Sequence, residues 1–300
     1  MLINATPFRF LFLLVYASLF SILTTVRDVL FYWLTIELLM LSFIGISYSV
    51  FKNSFSQLML YFLYQTLASL SILVSFISQR DSLFLLRFFL KLGIFPFYSW
   101  YISTLFPFQS SVLFLSLSFH KLPILYFLWV LLKPRMLLPL CISMLLSILV
   151  RRRLMFYIND LRYLLILSSL GNNAFLCLSV LANNLALFLG FNLVYFLTVF
   201  LVFWLLNSLN SIITRFSLHS PIKVFLVTFL LLNLAAFPPF PSFFLKFLIL
   251  LNFSSIYPRV RFLFITLMLL SNALIIVSYI QLSIKQLINF YTTSFRFNIF

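Results

Sequence analysis

Residues 222–252 read IKVFLVTFLLLNLAAFPPFPSFFLKFLILLN. As one straight helix this apolar run would be about 46 Å long, against a bilayer core of about 30 Å. Pro238, Pro239 and Pro241 fall in its middle. Each proline lacks a backbone N–H, and its ring clashes with the carbonyl four residues earlier, so the run is predicted to break there. Lys246 follows the break, still inside apolar sequence. Irregular backbone at membrane depth is tolerated only where protein covers it or where it lines a cavity, and broken helices near the midplane mark binding sites in transporters.

The rest of the chain is of the same kind. Hydrophobic residues make up 64%, charged residues 8%, and the mean hydropathy is +1.18. A soluble domain carries roughly 25% charge, so this chain is predicted to be an all-α, polytopic membrane helix bundle. Apolar runs of membrane length occur at 8–26, 29–50, 57–78, 83–104, 109–132, 136–150, 163–182, 185–206, 222–252 and 260–282. That gives about ten transmembrane helices, forming a single integral membrane domain over 1–300. The N-terminal run is longer than a signal-peptide core of about 7–15 residues and has no small-residue cleavage pattern after it. It is taken as a retained first helix.

Several function classes are disfavoured. With four glycines and neither a GxGxxG nor a GxxxxGK[ST] pattern, a phosphate cradle has no candidate. The net charge of +16 sits mostly in short connectors, as the positive-inside bias requires, and is not read as a nucleic-acid surface. Cys141 and Cys177 form no CxxC pair and are read as small core or lipid-facing residues. His120 and His219 are too isolated to suggest a metal or haem site. The side holding the N-terminus carries Arg9, Lys52, Arg151, Arg152, Arg153, Arg162, Arg215, Lys223, Lys285 and Arg296. The other side carries the smaller set Arg27, Arg80, Lys133, Arg135, Arg259 and Arg261. Both termini are therefore predicted on the inner side. Arg87, near the start of its helix, is ambiguous and can snorkel to the interface.

Four charges lie inside the predicted spans: Glu37, Lys91, Lys121 and Lys246. A charge at the bilayer centre costs about 2.5–3.5 kcal/mol on insertion scales, and Glu37 is one of only four acidic residues. Two readings of Glu37 are open: a neutral acid hydrogen-bonded to a neighbour, or a carboxylate paired with a lysine on another helix. Each lysine lies near a proline. Lys91 precedes Gly93 and Pro96, Lys121 precedes Pro123, and Lys246 follows the proline cluster. Pro96 is predicted to disturb the turn at Leu92 and Pro123 the turn at Phe119. An ammonium held out of water gives up its proton more readily, so these sites suit proton exchange; snorkelling is the plainer alternative. His120 is a candidate relay, or a packing residue that points about 100° away from its neighbour Lys121.

Polar side chains support these sites. Gln57, Tyr61, Gln65 and Ser69 form one stripe of the third helix, Ser169, Asn172 and Asn173 cluster in the seventh, and Ser278, Gln281 and Lys285 share a face of the last. Each alone is helix–helix glue; together they can hold water between charged sites.

At these same residues the chain resembles the subunit 2 family of mitochondrial NADH:ubiquinone oxidoreductase, respiratory complex I. WLTIELLMLSFI resembles the family's W…LE(L/M)N…LS stretch and LMLYFLYQTLASLSILVSF its KYFLxQ…S helix. LKLGIFPFYSW is similar to its KLGxAPFHFW motif, and LNLAAFPPFPSFFLKFLIL to LSLxGLPPLxGFxxKW. SFHKLPI resembles WQKxAP, and NDLRYLLILSSL resembles TQLRKILAYSS. The matches run in order from about residue 33 to 250. The resemblance implies an antiporter-like fold with two broken helices, in which Glu37 pairs with Lys91. Lys121 is then the central proton-handling lysine, and Lys246 sits on the second broken helix. It further implies a mitochondrial inner-membrane protein with both termini on the matrix side, surrounded by phospholipid and other membrane-arm subunits, and not acting as a monomer. No cofactor or metal is expected on this chain; NADH and ubiquinone are used by the whole complex. Tyr98 departs from the family's histidine, Pro241 and Ser242 from its usual Thr/Ser–Gly, and Phe237 is read as replacing the glycine before Pro238. A last helix of longer relatives is expected to be missing after about 282.

In this picture the Glu37–Lys91 pair opens and closes, opening is expected to ease the protonation of Lys121, and Lys121 passes its proton through water toward Lys246. Two other readings use the same residues. A stand-alone cation/proton antiporter would be expected to carry a dedicated acid pair, and the chain has one embedded acid. A non-catalytic assembly scaffold would leave pumping intact when Lys121 is removed.

Overall fold

The computed structural model describes residues 7–23, 25–26, 28–50, 55–78, 81–131, 137–155, 161–207 and 221–256, with scattered positions between 266 and 284. Regular structure among the described residues is helical. The chain divides into two compact units, Met1–Ser143 and Met144–Phe300.

The first unit contains α1 (Pro7–Leu23), α2 (Val29–Val50), α3 (Phe55–Ile77), α4 (Asp81–Leu92), α5 (Tyr98–Leu105), α6 (Ser110–Leu117) and α7 (Leu122–Leu131). Helix α1 packs on α2, α3 on α2, α4 and α5, and α2 also meets α6 and α7. The α1–α2 contact is close because Gly45 has no side chain: a Cβ there would lie 2.4 Å from the Phe12 ring. Helix α8 (Leu137–Met155) spans the boundary between the units. The second unit contains α9 (Leu161–Leu181), α10 (Leu185–Asn207), α11 (Pro221–Ala235) and α12 (Pro241–Ile256). There α10 packs on α9, α11 and α12, and α9 packs on α12. Every residue of α9 from 164 to 181 is buried.

Five stretches of described helix are long and apolar enough to cross a membrane: Val29–Tyr48, Phe55–Ile77, Ser110–Val130, Arg162–Leu181 and Leu185–Leu205. Together with the all-helical architecture, they make the chain a membrane helix bundle. The predicted span 260–282 is described only at scattered positions, and His219 and Lys285 lie outside the described residues.

The sequence predicted two broken helices. Among the described residues three predicted spans are interrupted: 83–104 between α4 and α5, 109–132 between α6 and α7, and 222–252 between α11 and α12. The middle interruption is the mildest. Pro123 has no N–H to offer the Phe119 carbonyl, so Leu122 N–H bonds that carbonyl instead. The result is the 3-10 turn Phe119–Lys121, the tighter winding that often joins helical pieces. At the other two interruptions the chain leaves the helix altogether.

Candidate functional site

In the first unit the end of α4 is shaped by Gly93, at φ +67°. Its N–H bonds the Leu90 carbonyl at 3.3 Å, and the Ile94 N–H bonds the Phe89 carbonyl at 2.9 Å. This is the Schellman pattern, which needs a left-handed residue and favours glycine. It leaves the Lys91 carbonyl without a partner from the motif, and Gln65 Nε2 on α3 donates to that carbonyl at 3.1 Å. The fold thus fixes the backbone of Lys91 before its side chain is considered.

The Lys91 ammonium lies 2.9 Å from Glu37 Oε1 on α2 and donates to it. Lys91 is buried and Glu37 is 20% exposed. Glu37 therefore has a lysine of another helix as its neighbour. A buried pair offsets its desolvation only with close geometry and further hydrogen bonds to its remaining protons and lone pairs. Two neighbouring donors tie α2 and α4 each to α3. Trp33 Nε1, one turn before Glu37, donates to the Ser69 carbonyl at 3.0 Å. Arg87, left ambiguous by the sequence, donates to the Ser71 carbonyl. Tyr61, Gln65 and Ser69 of the predicted α3 stripe are all buried, and Gln57 is half-buried.

Lys121 closes the 3-10 turn and is also buried. Its Nζ has no hydrogen-bond partner among the described residues. It stands over the ring of Tyr101 on α5, 5.1 Å from the centroid. His120, its neighbour, is buried among aromatic rings: Phe43 at 4.9 Å and Tyr61 at 6.2 Å between centroids. Neither ring nitrogen of His120 has a hydrogen-bond partner among the described residues. Helix α2 is pinned to the start of α7 by Tyr32, whose hydroxyl donates to the Pro123 carbonyl at 3.0 Å.

In the second unit α11 ends in the same Schellman pattern as α4. The Ala236 N–H bonds the Asn233 carbonyl at 3.0 Å, and the Phe237 N–H bonds the Leu232 carbonyl at 3.1 Å. The left-handed residue is Ala236, at φ +60°. The sequence reading put the missing glycine at Phe237; the position that calls for glycine is one residue earlier. Pro241 then opens α12 at its first position, where a missing N–H does no harm. Asn233 joins the two pieces: its Oδ1 accepts the Ser242 N–H at 3.4 Å, and its carbonyl accepts the Ser242 hydroxyl.

Lys246 lies one turn beyond Ser242 and is buried, with Nζ 5.0 Å from the centroid of the Phe175 ring on α9. Lys246, Asn172, Asn233 and Ser242 border a small cavity of about 10 Å³ that Phe191, Val194 and Leu234 also line. Asn172, which the sequence grouped with Ser169 and Asn173, therefore borders the same cavity as Lys246. The sequence reading gave no role to Tyr101, Phe175 or Asn233. Asn233 carried a usable signal, as a lone amide five residues before the proline cluster. The two rings carried none in a chain that is 20% aromatic.

The fold is shared with a chain of a respiratory complex I. That chain belongs to the structure of respiratory complex I from Thermus thermophilus with bound aureothin, and the TM-score is 0.79 at 19% identity. The match covers 92% of the present chain and 70% of the Thermus chain. A scan against protein-family models gives no match, and a search of curated proteins gives none.

Proposed function

We propose that the chain is a proton-translocating membrane-arm subunit of respiratory complex I, part of an NADH:ubiquinone reductase whose redox chemistry lies in other subunits. On this reading it works in the mitochondrial inner membrane among other membrane-arm subunits and phospholipid. It is one membrane domain of about ten helices in an antiporter-like arrangement, with both termini in the matrix. NADH and ubiquinone are used by the assembly and not held by this chain.

The observation that carries the reading is the 2.9 Å contact of Lys91 with Glu37, inside a unit that buries a second lysine, Lys121. Two ammonium groups about 8 Å apart repel by roughly 2 kcal/mol at an effective dielectric near 20. Glu37 in contact with Lys91 cancels that charge at short range, and the unit then tolerates a proton on Lys121. When the pair opens, the uncompensated Lys91 charge works against the Lys121 proton and promotes its release. This sign is opposite to the one drawn from the sequence, because a closed pair is locally neutral. Lys246 serves as a further proton carrier, with Asn172, Asn233 and Ser242 beside it at the same small cavity. His120, packed on Phe43 and Tyr61, is a secondary candidate relay. The energy comes from quinone reduction elsewhere in the complex.

The test is the number of protons moved per electron pair in an assembled complex carrying Lys121→Ala, with assembly checked by blue-native electrophoresis. A reduced ratio in a fully assembled complex is expected. An unchanged ratio would leave a scaffold, and a chain migrating alone near 35 kDa would remove it from the complex.

A further inference from the structure

The chain has 20 lysines and arginines but only four acids, and in the first unit Glu37 is already in contact with Lys91. Yet the two other embedded lysines share an arrangement that the two units repeat separately. Lys121 Nζ stands 5.1 Å from the Tyr101 ring centroid, and Lys246 Nζ 5.0 Å from that of Phe175. Both distances are inside the range of about 6 Å over which a ring's negative face attracts a cation, an attraction that grows when both groups are out of water. All four side chains are buried.

We propose that the faces of Tyr101 and Phe175 act as the counter-charge of Lys121 and Lys246, which makes these two aromatics positioning residues of the proton path. The inference rests on the proton-carrying reading above and deepens it.

A ring differs from a carboxylate in one useful way. It attracts the ammonium but has no site that takes the proton. A lysine over a ring keeps its charge without forming a pair that traps the proton, and the proton leaves only toward a true acceptor. The rings are also held in place. Tyr101 lies against Gly93, where a Cβ would come within 2.5 Å of its Cβ and Cγ, and its ring meets Trp100 edge-on at 5.8 Å. Phe175 lies in the fully buried part of α9, with its ring tilted against Phe191 at 6.4 Å. Neither ring can swing away without moving a neighbour.

The test compares Tyr101→Phe, Tyr101→Leu and 3,4,5-trifluorophenylalanine at position 101 with Lys121→Ala, in the assembled complex. Phenylalanine keeps the negative face, leucine removes it, and the trifluorinated ring keeps the shape while cancelling the face. Proton translocation per electron pair is expected to stay at the wild-type value in Tyr101→Phe. It is expected to fall to the reduced Lys121→Ala value with leucine and with the trifluorinated ring. If Lys121→Ala is impaired while the trifluorinated ring pumps like Tyr101→Phe, Tyr101 is packing only and the assignment is wrong. If Lys121→Ala itself pumps normally, the proton-carrying reading fails and takes the role of Tyr101 with it. 3,4,5-Trifluorophenylalanine at position 175 makes the same comparison for Lys246: the ring keeps its shape, and loss of pumping is expected. Pumping at the wild-type value would overturn the role of Phe175.

Discussion

Asn233 is bonded to Ser242 twice, through its amide oxygen to the backbone N–H and through its own carbonyl to the hydroxyl, across the gap between α11 and α12. The first N–H groups of a helix and the last carbonyls of another have no partners of their own. Asn233 Oδ1 serves one of the first donors of α12, and the Asn233 carbonyl, already bonded by the Ala236 N–H, takes the Ser242 hydroxyl as a second donor. Asn233→Leu keeps roughly the volume and removes the amide acceptor. It is expected to lower stability by about 1–3 kcal/mol, with Ser242→Ala nearer the low end. Thermal unfolding of the full chain in detergent checks this, and an unchanged midpoint in both variants would show that the staple carries no weight.

The Glu37–Lys91 contact calls for a double-mutant cycle. Glu37→Gln leaves a buried ammonium without its partner and is expected to cost about 3–5 kcal/mol. Lys91→Met is expected to cost less, because Glu37 keeps some exposure. The double variant is expected to recover most of the stability, since an apolar or neutral pair no longer strands a charge. Additive losses would contradict the pairing.

Gly93→Ala meets two penalties at one atom. The left-handed backbone at φ +67° costs an alanine about 1–2 kcal/mol, and the new Cβ would sit 2.5 Å from the stem of Tyr101. A destabilisation of at least about 2 kcal/mol is expected, together with loss of the Tyr101–Lys121 contact. A structure of the variant with Tyr101 unmoved would refute the second part.

Ala236→Gly is the reverse experiment. Alanine at φ +60° carries the strain that glycine escapes, while glycine's freer unfolded chain takes part of that gain back. A net stabilisation of up to about 1 kcal/mol is expected, measured as a higher unfolding midpoint with assembly unchanged. A lower midpoint would mean that the break between α11 and α12 relies on the alanine methyl for packing.

What could be read from the sequence follows from how local the physics is. Proline acts on the carbonyl four residues back, so the interruptions near Pro96, Pro123 and Pro238 lie where the residues alone place them. The left-handed end of α4 shows as Gly93, but that of α11 does not, because Ala236 looks like an ordinary helix former. Contacts between helices are different. Composition left Glu37 with an unnamed lysine, and only resemblance suggested Lys91. Tyr101 and Lys121 are joined by tertiary packing that no spacing rule reaches. Gln65 was visible as one of a buried stripe, but its bond to the Lys91 carbonyl depends on how α4 ends.

Helix α9 has the opposite character from a lipid-facing span. From 164 to 181 it has no outside face, so nothing obliges it to be greasy all round. That is where Ser168, Ser169, Asn172 and Asn173 are kept. A segment walled in by protein can hold amides and hydroxyls that would be ruinous against hydrocarbon. It follows that this most secluded rod, not the outer ones, is where the second unit has latitude to evolve its wetness, and where a single bulky replacement has nowhere to go.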